Sequence, residues 1–351
     1  MNILVTGIAG FIGSRVAQLL AQRGDKVVGV DNINDYYDVR LKYARLRKLL
    51  GVEVGSGESR EEGEETRVER SAIYPNLSFS RLSIDNKMAL DALFESEKFD
   101  VVVNLAAQAG VRYSITHPYT YMQSNLIGFL NILEACRNYH VPRLVFASSS
   151  SVYGLNDKVP YNENDKVDSP VSLYAASKKS NELMAHCYSK LYGFQSIGLR
   201  YFTVYGPWGR PDMSPMLFAN AMRDNQPIRV FNNGDMIRDF TYIDDIAQGT
   251  VRAIDHNLDS AVCEHGVPYR IYNIGCSHPV KLMDFISEME AAFGKQAKKE
   301  FLPMQAGDVY QTNADCTRLE KEMGYRPRVE LHEGLQNFVR WYQAYYCNSV
   351  V

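Results

Sequence analysis

Residues 2–31 read NILVTGIAGFIGSRVAQLLAQRGDKVVGVD, and this stretch decides the fold. Its first apolar run predicts a buried strand over 2–6. An amphipathic pattern follows over 11–23 and predicts a helix that Gly24 ends. The run KVVGVD predicts a second strand over 26–31. A strand, a helix and a strand within about thirty residues make a βαβ unit, so we expect a parallel sheet.

The same alternation continues along the chain. Branched apolar runs at 101–107, 143–149 and 195–202 predict further strands that are buried on both faces, with helical patterns between them. This order is typical of a doubly wound α/β fold of the Rossmann type. A chain of 351 residues exceeds what one hydrophobic core usually serves, and proline and glycine become frequent after about residue 204. We therefore expect a second, smaller α/β domain.

Composition excludes several classes of protein. Hydrophobic residues make up 46% and charged residues 23%, the balance of a globular chain rather than of a disordered or fibrous one. The net charge of −3 provides no excess of positive charge for a nucleic-acid backbone, which favours a small-molecule enzyme. No apolar run approaches the ~20 residues that span a bilayer, and no signal segment precedes the first strand. We expect a cytoplasmic protein without nucleic-acid or membrane partners.

Neither the cysteines nor the most polar segment indicates a ligand site. The six cysteines are scattered without CxxC spacing, which favours reduced thiols over disulfides or zinc, and no metal is expected. The segment 51–70 (GVEVGSGESREEGEETRVER) is polar and mostly acidic. It buries too little apolar surface to offset the cost of ordering it, so we expect an exposed, mobile insertion there.

The turn between the first strand and the first helix contains Gly7, Gly10 and Gly13 in the pattern G-x-x-G-x-x-G. These glycines permit a tight turn, a close approach of the backbone to a pyrophosphate and close packing of helix on strand. The phosphates then lie at a helix N-terminus, where free N–H groups favour an anion. Asp31 ends the second strand, where a carboxylate accepts the ribose hydroxyls and repels a 2′-phosphate; its alternative role is a turn cap. The pattern predicts a dinucleotide site that prefers NAD to NADP.

Tyr174 and Lys178 lie four residues apart on one face of a predicted helix. Roughly one Tyr-x-x-x-Lys pair arises by accident in a chain with 23 tyrosines, so the pair gains its meaning from the nucleotide site. A nearby ammonium and the positive nicotinamide favour the phenolate, which makes tyrosine a usable base. The run Ser148–Ser151 follows the predicted fourth strand at the edge where a doubly wound sheet faces its ligand. Its hydroxyls either hold a sugar hydroxyl against Tyr174 or form a plain loop.

Several motifs together resemble the extended short-chain dehydrogenase/reductase superfamily. They are GxxGFIGS, Asp31-Asn32, NLAAQAGVRYS, SSSSVYG, YxxxK and RDFTYIDD. The likeness covers nearly the whole chain apart from the acidic insertion, and it is closest to the UDP-glucuronate 4-epimerases, which are UDP-galacturonate 4-epimerases in the reverse direction. The most specific stretches are PVSLYAASKKSNELMAHCYSKLYG and RYFTVYGPWGRPDM.

This resemblance implies roles for individual residues. Tyr174, Lys178 and Ser149 match the catalytic set. NAD, tightly bound and regenerated in each turnover, is implied to contact the following residues: Gly7, Gly10, Phe11, Ile12, Gly13, Asp31, Asn32, Ile84, Leu105, Ala106, Ala107, Gln108, Tyr174 and Lys178. The UDP-sugar is implied to contact a second set: Ser149, Ser150, Ser151, Thr203, Arg210, Arg238, Asp308 and Arg112.

The acid group of the sugar has its own implied contacts. Related UDP-galactose 4-epimerases usually carry Asn where this chain has Thr203. A guanidinium fork suits a planar carboxylate, so the resemblance implies that Arg210 holds the carboxylate together with Thr203, Ser150 and Ser151. The alternative for Arg210 is an ion pair at the domain interface.

For the nucleotide parts of the ligands, the resemblance implies two contacts to UDP, and this chain departs from the family pattern at two positions. The resemblance implies that Arg238 holds the UDP diphosphate and that Asp308 falls in the segment that helps bind the uridine ribose. Ser83 lies where relatives commonly place an adenine-binding Asp, which puts that contact in doubt. Gln305 replaces an arginine of neutral-sugar relatives, which leaves fewer side-chain contacts to the diphosphate.

The implied reaction is 4-epimerisation of UDP-glucuronate through a transient 4-keto intermediate, a step that serves polysaccharide biosynthesis. Alternatives remain: a neutral UDP-hexose 4-epimerase, a UDP-glucuronate decarboxylase, or an NAD-binding protein without turnover. Decarboxylases and 4,6-dehydratases generally place an acidic residue before VYG, where this chain has SSSS. Non-catalytic relatives typically lose the tyrosine or the lysine, and both are present here.

The domain boundaries and the assembly follow from the same evidence. Helices predicted over 119–139 and 174–192 carry more apolar residues than one buried stripe requires. Members of the superfamily that this chain resembles commonly dimerise through two such helices, so the resemblance implies a homodimer. The predicted NAD-binding domain spans 1–203 with a return over 239–275, and the predicted UDP-sugar-binding domain consists of 204–238 and 276–351.

Overall fold

The computed structural model describes residues 1–55, 68–258, 263–305 and 307–347. The strands, numbered in chain order, are β1 Asn2–Thr6, β2 Lys26–Asp31, β3 Val68–Arg70, β4 Leu77–Arg81, β5 Val101–Asn104, β6 Arg143–Ser149, β7 Gln195–Tyr201, β8 Thr203–Tyr205, β9 Ile228–Val230, β10 Ile237–Tyr242, β11 Tyr269–Ile274, β12 Pro279–Lys281 and β13 Lys299–Phe301. The α-helices are α1 Phe11–Gln22, α2 Val39–Leu50, α3 Lys87–Ser96, α4 Tyr113–Thr116, α5 Pro118–Tyr121, α6 Gly128–Asn138, α7 Leu173–Tyr192, α8 Ser214–Arg223, α9 Ile243–Asp255, α10 Leu282–Phe293, α11 Thr317–Met323 and α12 Leu331–Tyr342.

The largest sheet within the described residues has eight strands in the order β11-β7-β6-β5-β1-β2-β4-β3. All neighbouring pairs are parallel except β3 with β4, which is antiparallel. The strand order reverses between β1 and β5, because the chain leaves β1 for β2 on one side and fills the other side later. In such sheets a ligand binds outside the carboxyl ends of the strands at this reversal. The predicted doubly wound Rossmann-type fold is confirmed.

Helices cover both faces of this sheet. On one face α1, α2 and α9 contribute core residues such as Val16, Leu46 and Ile246, each fully buried. On the other face α3, α6 and α7 contribute Phe94 and Ile132 among others. Burial on both faces explains why strands such as β5 consist of branched apolar residues without alternation.

A smaller part of the chain lies over the carboxyl ends of the large sheet. Only Phe202 separates β7 of the large sheet from β8, which pairs in parallel with β10 so that Thr203 lies opposite Phe240. The strand β12 completes this three-stranded sheet, and β9 pairs with β13 in a two-stranded one. The helix α9 follows β10 and packs against α1. This part of the chain is therefore joined to the layers of the large sheet both at the junction of β7 with β8 and through α9.

Two segments differ from the sequence predictions. Residues 68–70 form the strand β3 instead of a loop, because the edge of β4 offers unpaired backbone groups to it, and residues 56–67 of the predicted insertion lie outside the described residues. The helix predicted over 119–139 consists of α5, a wide π-helical turn over Met122–Ile127, and α6. Asn125 in that turn accepts the Gln108 N–H at 2.8 Å, so the irregular turn reaches the ligand edge of the sheet.

Candidate active site

A single large cavity of about 960 Å³ opens at the carboxyl ends of the strands, between the large sheet and the three-stranded sheet. This volume is at the upper end of the usual range for ligand pockets, about 300–1,000 Å³. Every residue that the sequence or the family resemblance predicts for catalysis, cofactor or substrate lines this cavity. The structure therefore brings the predicted set together in one place.

The glycine-rich turn is shaped to receive a phosphate. Gly7 has a φ of +72°, which favours glycine, and its N–H donates to the Val30 carbonyl at 2.8 Å. A Cβ on Gly13 would lie 2.1 Å from the Gly7 carbonyl oxygen, so only glycine fits at this position. The helix α1 begins directly after Gly10, and its first turn contains no acidic side chain. Its free N–H groups and dipole therefore remain available for a pyrophosphate.

Asp31 is oriented by the backbone at the end of β2. One carboxylate oxygen accepts the Ala9 N–H at 3.1 Å, and the other accepts the Ile33 N–H at 2.8 Å. Each oxygen keeps lone-pair capacity for a ribose hydroxyl. Asn32 donates to the hydroxyl of Ser83 at 3.3 Å. Ser83 is the residue that stands where the family resemblance leads us to expect an aspartate. The turn, the helix end and this carboxylate fit the adenosine and pyrophosphate parts of NAD.

Lys178 is held firmly beneath the cavity. The helix α7 begins after Ser172, whose hydroxyl accepts the Ala175 N–H at 3.1 Å, and this cap fixes the turn that carries Tyr174. The Lys178 ammonium is 3% exposed and donates to the Ala147 carbonyl at 2.8 Å. Burial lowers the pKa of Lys178 to about 8, because the charged form loses its hydration.

Burial raises the pKa of Tyr174 above its ordinary value, so the phenolate is disfavoured in the protein alone. A hydrogen bond from Ser149 and the charge of Arg210 oppose this effect and lower the pKa of Tyr174. The sequence argument gave that role to the positive charges of Lys178 and the nicotinamide, and Ser149 and Arg210 add to it. The Ser149 oxygen accepts the Ser151 hydroxyl at 2.9 Å and the Ser151 N–H at 3.2 Å, which leaves the Ser149 hydrogen free to donate.

Arg210 lines the same cavity as Tyr174 and already has a partner. Its Nε is 3.1 Å from one oxygen of Asp212, and its Nη2 is 2.5 Å from the other. The Tyr36 hydroxyl donates to the same carboxylate at 3.0 Å. This pairing holds the pKa of Asp212 below its usual range although burial alone would raise it. Thr203 and the serine run also line this cavity.

Two further arginines, Arg238 and Arg112, line the cavity. Arg238 donates to the carbonyls of Val309 at 2.6 Å and Tyr310 at 3.0 Å, and its own hydrogen bonds are to backbone carbonyls rather than carboxylates. Burial lowers the pKa of Arg238 below its ordinary value. Arg112 pairs with Asp308 at 2.9 Å, so two residues predicted to bind the substrate separately form an ion pair. A guanidinium whose recorded hydrogen bonds within the described ranges go to neutral carbonyls suits a diphosphate.

Sequence reasoning missed Arg45, which links the glycine-rich turn to the segment that precedes Arg210. This residue of α2 is 1% exposed and donates to the Ala9 carbonyl at 3.0 Å and to the Trp208 carbonyl at 2.7 Å. Ala9 belongs to the glycine-rich turn, and Trp208 precedes Arg210 by two residues. The sequence feature that could have indicated this role is an arginine at a position of the helix VRLKYARLRKLL that faces the core. Asp212 and Tyr36 were also missed, although Asp212 lies in the same RPDM stretch as Arg210.

Among the described residues, no group of three His, Cys, Asp or Glu side chains is arranged to hold a metal ion. Within the same ranges, no helix combines the length and the apolar character that crossing a bilayer requires.

Known proteins resemble this chain over its whole length. It is 47% identical to an uncharacterized 37.6 kDa protein of Escherichia coli O111:H-, with 99% of each chain covered. It is 44% identical to UDP-glucuronate 4-epimerase 4 of Arabidopsis thaliana, with 99% of this chain and 76% of that protein covered. Its structure is similar to that of UDP-glucuronic acid 4-epimerase from Bacillus cereus in complex with UDP-glucuronic acid and NAD, with a TM-score of 0.83, 33% identity, and 99% and 100% of the two chains covered.

The family follows from these comparisons and from the site geometry. The sequence model of the NAD dependent epimerase/dehydratase family matches residues 3–275, which is most of the chain. The resemblance drawn from the motifs is thereby confirmed. This chain belongs to the NAD dependent epimerase/dehydratase family.

Proposed function

We propose that this chain is an NAD-dependent 4-epimerase that interconverts UDP-glucuronate and UDP-galacturonate. The observation that carries the proposal is that a single cavity joins a nucleotide-binding turn, a Tyr174–Lys178–Ser149 set and a guanidinium surrounded by hydroxyls. The relatives named above as UDP-glucuronate 4-epimerases support the same reaction. The diphosphate lies toward Arg238, and the sugar lies between Tyr174 and Arg210.

The residues around carbon 4 move a proton. When bound, NAD accepts a hydride from carbon 4 of the sugar and returns it to that carbon. Tyr174 takes the proton of the 4′-hydroxyl and gives it back at the end of the cycle. Ser149 donates its free hydrogen to the phenol or to the sugar oxygen, which keeps the two oxygens aligned. Lys178 donates one N–H to the Ala147 carbonyl, and its two other N–H groups can donate to a hydroxyl of the nicotinamide ribose.

Epimerisation requires the sugar to present its other face between the two transfers. The sugar turns about its link to the diphosphate, so the UDP must stay fixed while the hexose moves. Arg238 suits this task because backbone carbonyls immobilise its guanidinium before any ligand arrives. Because these acceptors are neutral carbonyls and not carboxylates, the positive charge of Arg238 is available to the phosphates.

The acid group brings a side reaction that the site must suppress. A 4-keto uronate is a β-keto acid and loses carbon dioxide when the bond to its carboxyl group aligns with the carbonyl π system. Arg210, Thr203 and the serine run hold the carboxylate near the plane of the ketone, which disfavours that alignment. The serine run SSSS also contains no carboxylate that would work as a base at carbon 5.

The direct experiment is to incubate the purified protein with UDP-glucuronate, without added NAD, and to separate the nucleotide sugars by chromatography. UDP-galacturonate is the expected product, because the cofactor stays bound and is regenerated. A Tyr174→Phe variant purified in parallel is the control for contaminating activity. UDP-xylose as the product, or no conversion by protein shown to contain NAD, contradicts the proposal.

We further propose that the chain forms a homodimer through α6, α7 and the wide turn before α6. Leu183 and Leu191 on α7 are 60% and 65% exposed, and Ile127 in the turn is 45% exposed. Exposed large apolar side chains on a helix and on the turn that packs against it indicate a contact surface. Light scattering after size-exclusion chromatography is expected to give twice the mass of the chain, and a monomeric mass contradicts the dimer.

The division of labour between the two parts of the chain is a proposal of the same kind. Residues 1–203 and 239–275 bind NAD, and residues 204–238 and 276–351 bind the UDP-sugar. Support comes from β11, which pairs with β7 in the large sheet, and from Arg238 and Asp308 in the cavity wall. The cytoplasmic location stays a prediction from composition.

A further inference from the structure

The Arg210–Asp212 pair uses only one edge of the guanidinium. Asp212 accepts from Nε and from one hydrogen of Nη2. An arginine has five N–H donors in a planar fork, so both hydrogens of Nη1 and the second hydrogen of Nη2 remain. Among the described residues, Asp212 is the acceptor recorded for Arg210. The remaining donors form a second edge that suits another carboxylate in the same bidentate way.

Asp212 is itself held in place from the cofactor side. Tyr36, in the loop between β2 and α2, donates its hydroxyl to Asp212 at 3.0 Å. The Tyr36 hydroxyl packs against Gly110 so closely that a Cβ there would lie 2.4 Å from its oxygen. Its ring lies 4.7 Å from the ring of Tyr113, centroid to centroid. Asp212 therefore has a fixed donor as well as a fixed cation.

We propose that Asp212, braced by Tyr36, is a positioning residue that directs the free edge of Arg210 toward the carboxylate of the uronate. Asp212 occupies the Nε edge, so like-charge repulsion excludes the substrate carboxylate from that edge and leaves one orientation. The pairing also spares Arg210 the larger cost of burial without a counter-ion when no acid is bound. This inference rests on the proposed function, since it names how that site recognises its acid.

An alternative reading makes Asp212 a competitor that must release Arg210 before the substrate binds. The two readings predict opposite effects of Asp212→Asn. Loss of a competitor strengthens binding of UDP-glucuronate, whereas loss of a positioning carboxylate weakens it. A purely structural role would weaken UDP-glucuronate and UDP-glucose alike, because both carry the same UDP and differ at carbon 6.

The experiment measures the Kd of both nucleotide sugars by calorimetry in the NAD-containing protein, in a Tyr174→Phe background that prevents turnover. Asp212→Asn is expected to weaken UDP-glucuronate by about 10- to 100-fold, the size of lost charge-assisted hydrogen bonds. UDP-glucose is expected to change less than about threefold. Asp212→Glu, which keeps the charge, is expected to recover part of the loss.

Matched variants separate the outcomes. Asp224→Asn removes an exposed aspartate that pairs with Arg223 in a similar two-bond geometry outside the cavity lining, and it is expected to change neither affinity. Tyr36→Phe removes only the hydroxyl that donates to Asp212. This variant is expected to weaken the affinity for UDP-glucuronate alone by about two- to tenfold. It keeps the test decisive even where Asp212→Asn fails to fold. An unchanged or tighter Kd for UDP-glucuronate, or equal losses for both sugars, overturns the inference.

Failure of this inference is distinguishable from failure of the proposed function. The proposed function fails when the unmodified protein does not convert UDP-glucuronate to UDP-galacturonate. The role of Asp212 fails when the unmodified protein does so and Asp212→Asn binds UDP-glucuronate as before.

Discussion

A buried ion pair behind the serine run connects the stability of the fold to its active site. Glu182 on α7 is 1% exposed and Arg200 on β7 is 3% exposed in their side chains. The two Glu182 oxygens accept Arg200 Nε at 2.8 Å and Nη2 at 2.9 Å. The hydroxyl of Ser148, next to Ser149, donates to the same carboxylate at 2.7 Å. Replacing Glu182 by Gln keeps the shape and removes the charge.

The expected cost follows from this burial. Glu182→Gln leaves the Arg200 guanidinium without a counter-ion in the interior, and breaking a buried pair in this way costs about 3–5 kcal/mol of unfolding free energy. At about 2.1 cal/mol/K of unfolding entropy per residue, a chain of 351 residues loses roughly 1.4 °C of melting temperature per kcal/mol, so the midpoint falls by about 4–7 °C. Differential scanning calorimetry or circular dichroism measures it. The matched control is Glu53→Gln, because the Arg47–Glu53 pair is exposed on both sides and is expected to change stability by under about 0.5 kcal/mol.

The pH dependence of the same variant adds a second test. Arg200 holds the pKa of Glu182 below its ordinary 4.5, although burial alone would raise it. A carboxyl group with a lowered pKa in the folded state contributes stability above its ordinary pKa and loses it as the pH falls. The difference between Glu182→Gln and the unmodified protein is therefore expected to shrink below about pH 4.5. A melting temperature within about 2 °C of the unmodified protein at neutral pH would refute the reasoning.

Three further predictions concern the cavity. Gly13→Ala is expected to purify without NAD, because its Cβ would lie 2.1 Å from the Gly7 carbonyl oxygen. The control Gly55→Ala is expected to retain NAD, because a Cβ there meets no described atom within 4 Å. Equal NAD content of the two variants after acid release argues against the turn as the phosphate site. Tyr174→Phe is expected to lower kcat by about 10²- to 10⁴-fold with little change in UDP-sugar affinity, and a near-normal kcat would point to another base. Because burial lowers the pKa of Lys178 to about 8, the ammonium is lost as the pH rises through that value, and kcat is expected to fall there; a rate that keeps rising to about pH 10 contradicts the role of its charge.

The layered sheet could be predicted from the sequence because strands buried on both faces carry an unbroken apolar pattern. The predicted ranges 2–6, 26–31 and 143–149 coincide with β1, β2 and β6. The run 101–107 ends as a strand at Asn104, because its last residues line the cavity instead of pairing. The wide turn within 119–139 was out of reach, since it depends on the hydrogen bonds of Asn125 to a loop seventeen residues earlier in the chain.

The site was predictable where a local motif holds the chemistry and not where partners come from distant segments. The glycine turn, Tyr174 and Lys178 each lie in short patterns whose spacing carries their meaning. The Tyr36–Asp212 contact joins residues 176 positions apart, and that between Arg45 and Trp208 joins residues 163 apart. No periodicity reports such contacts, because only the folded chain brings them together.

The central claim is that one hydrogen leaves carbon 4 of the uronate and the same hydrogen comes back. The most direct measurement uses UDP-glucuronate that carries deuterium at carbon 4 and follows its label into UDP-galacturonate by mass spectrometry and proton NMR. Full retention of deuterium at carbon 4, with none gained at any carbon when unlabelled substrate reacts in heavy water, is the predicted result. Loss of the label to solvent, or solvent deuterium at carbon 5, would contradict the account.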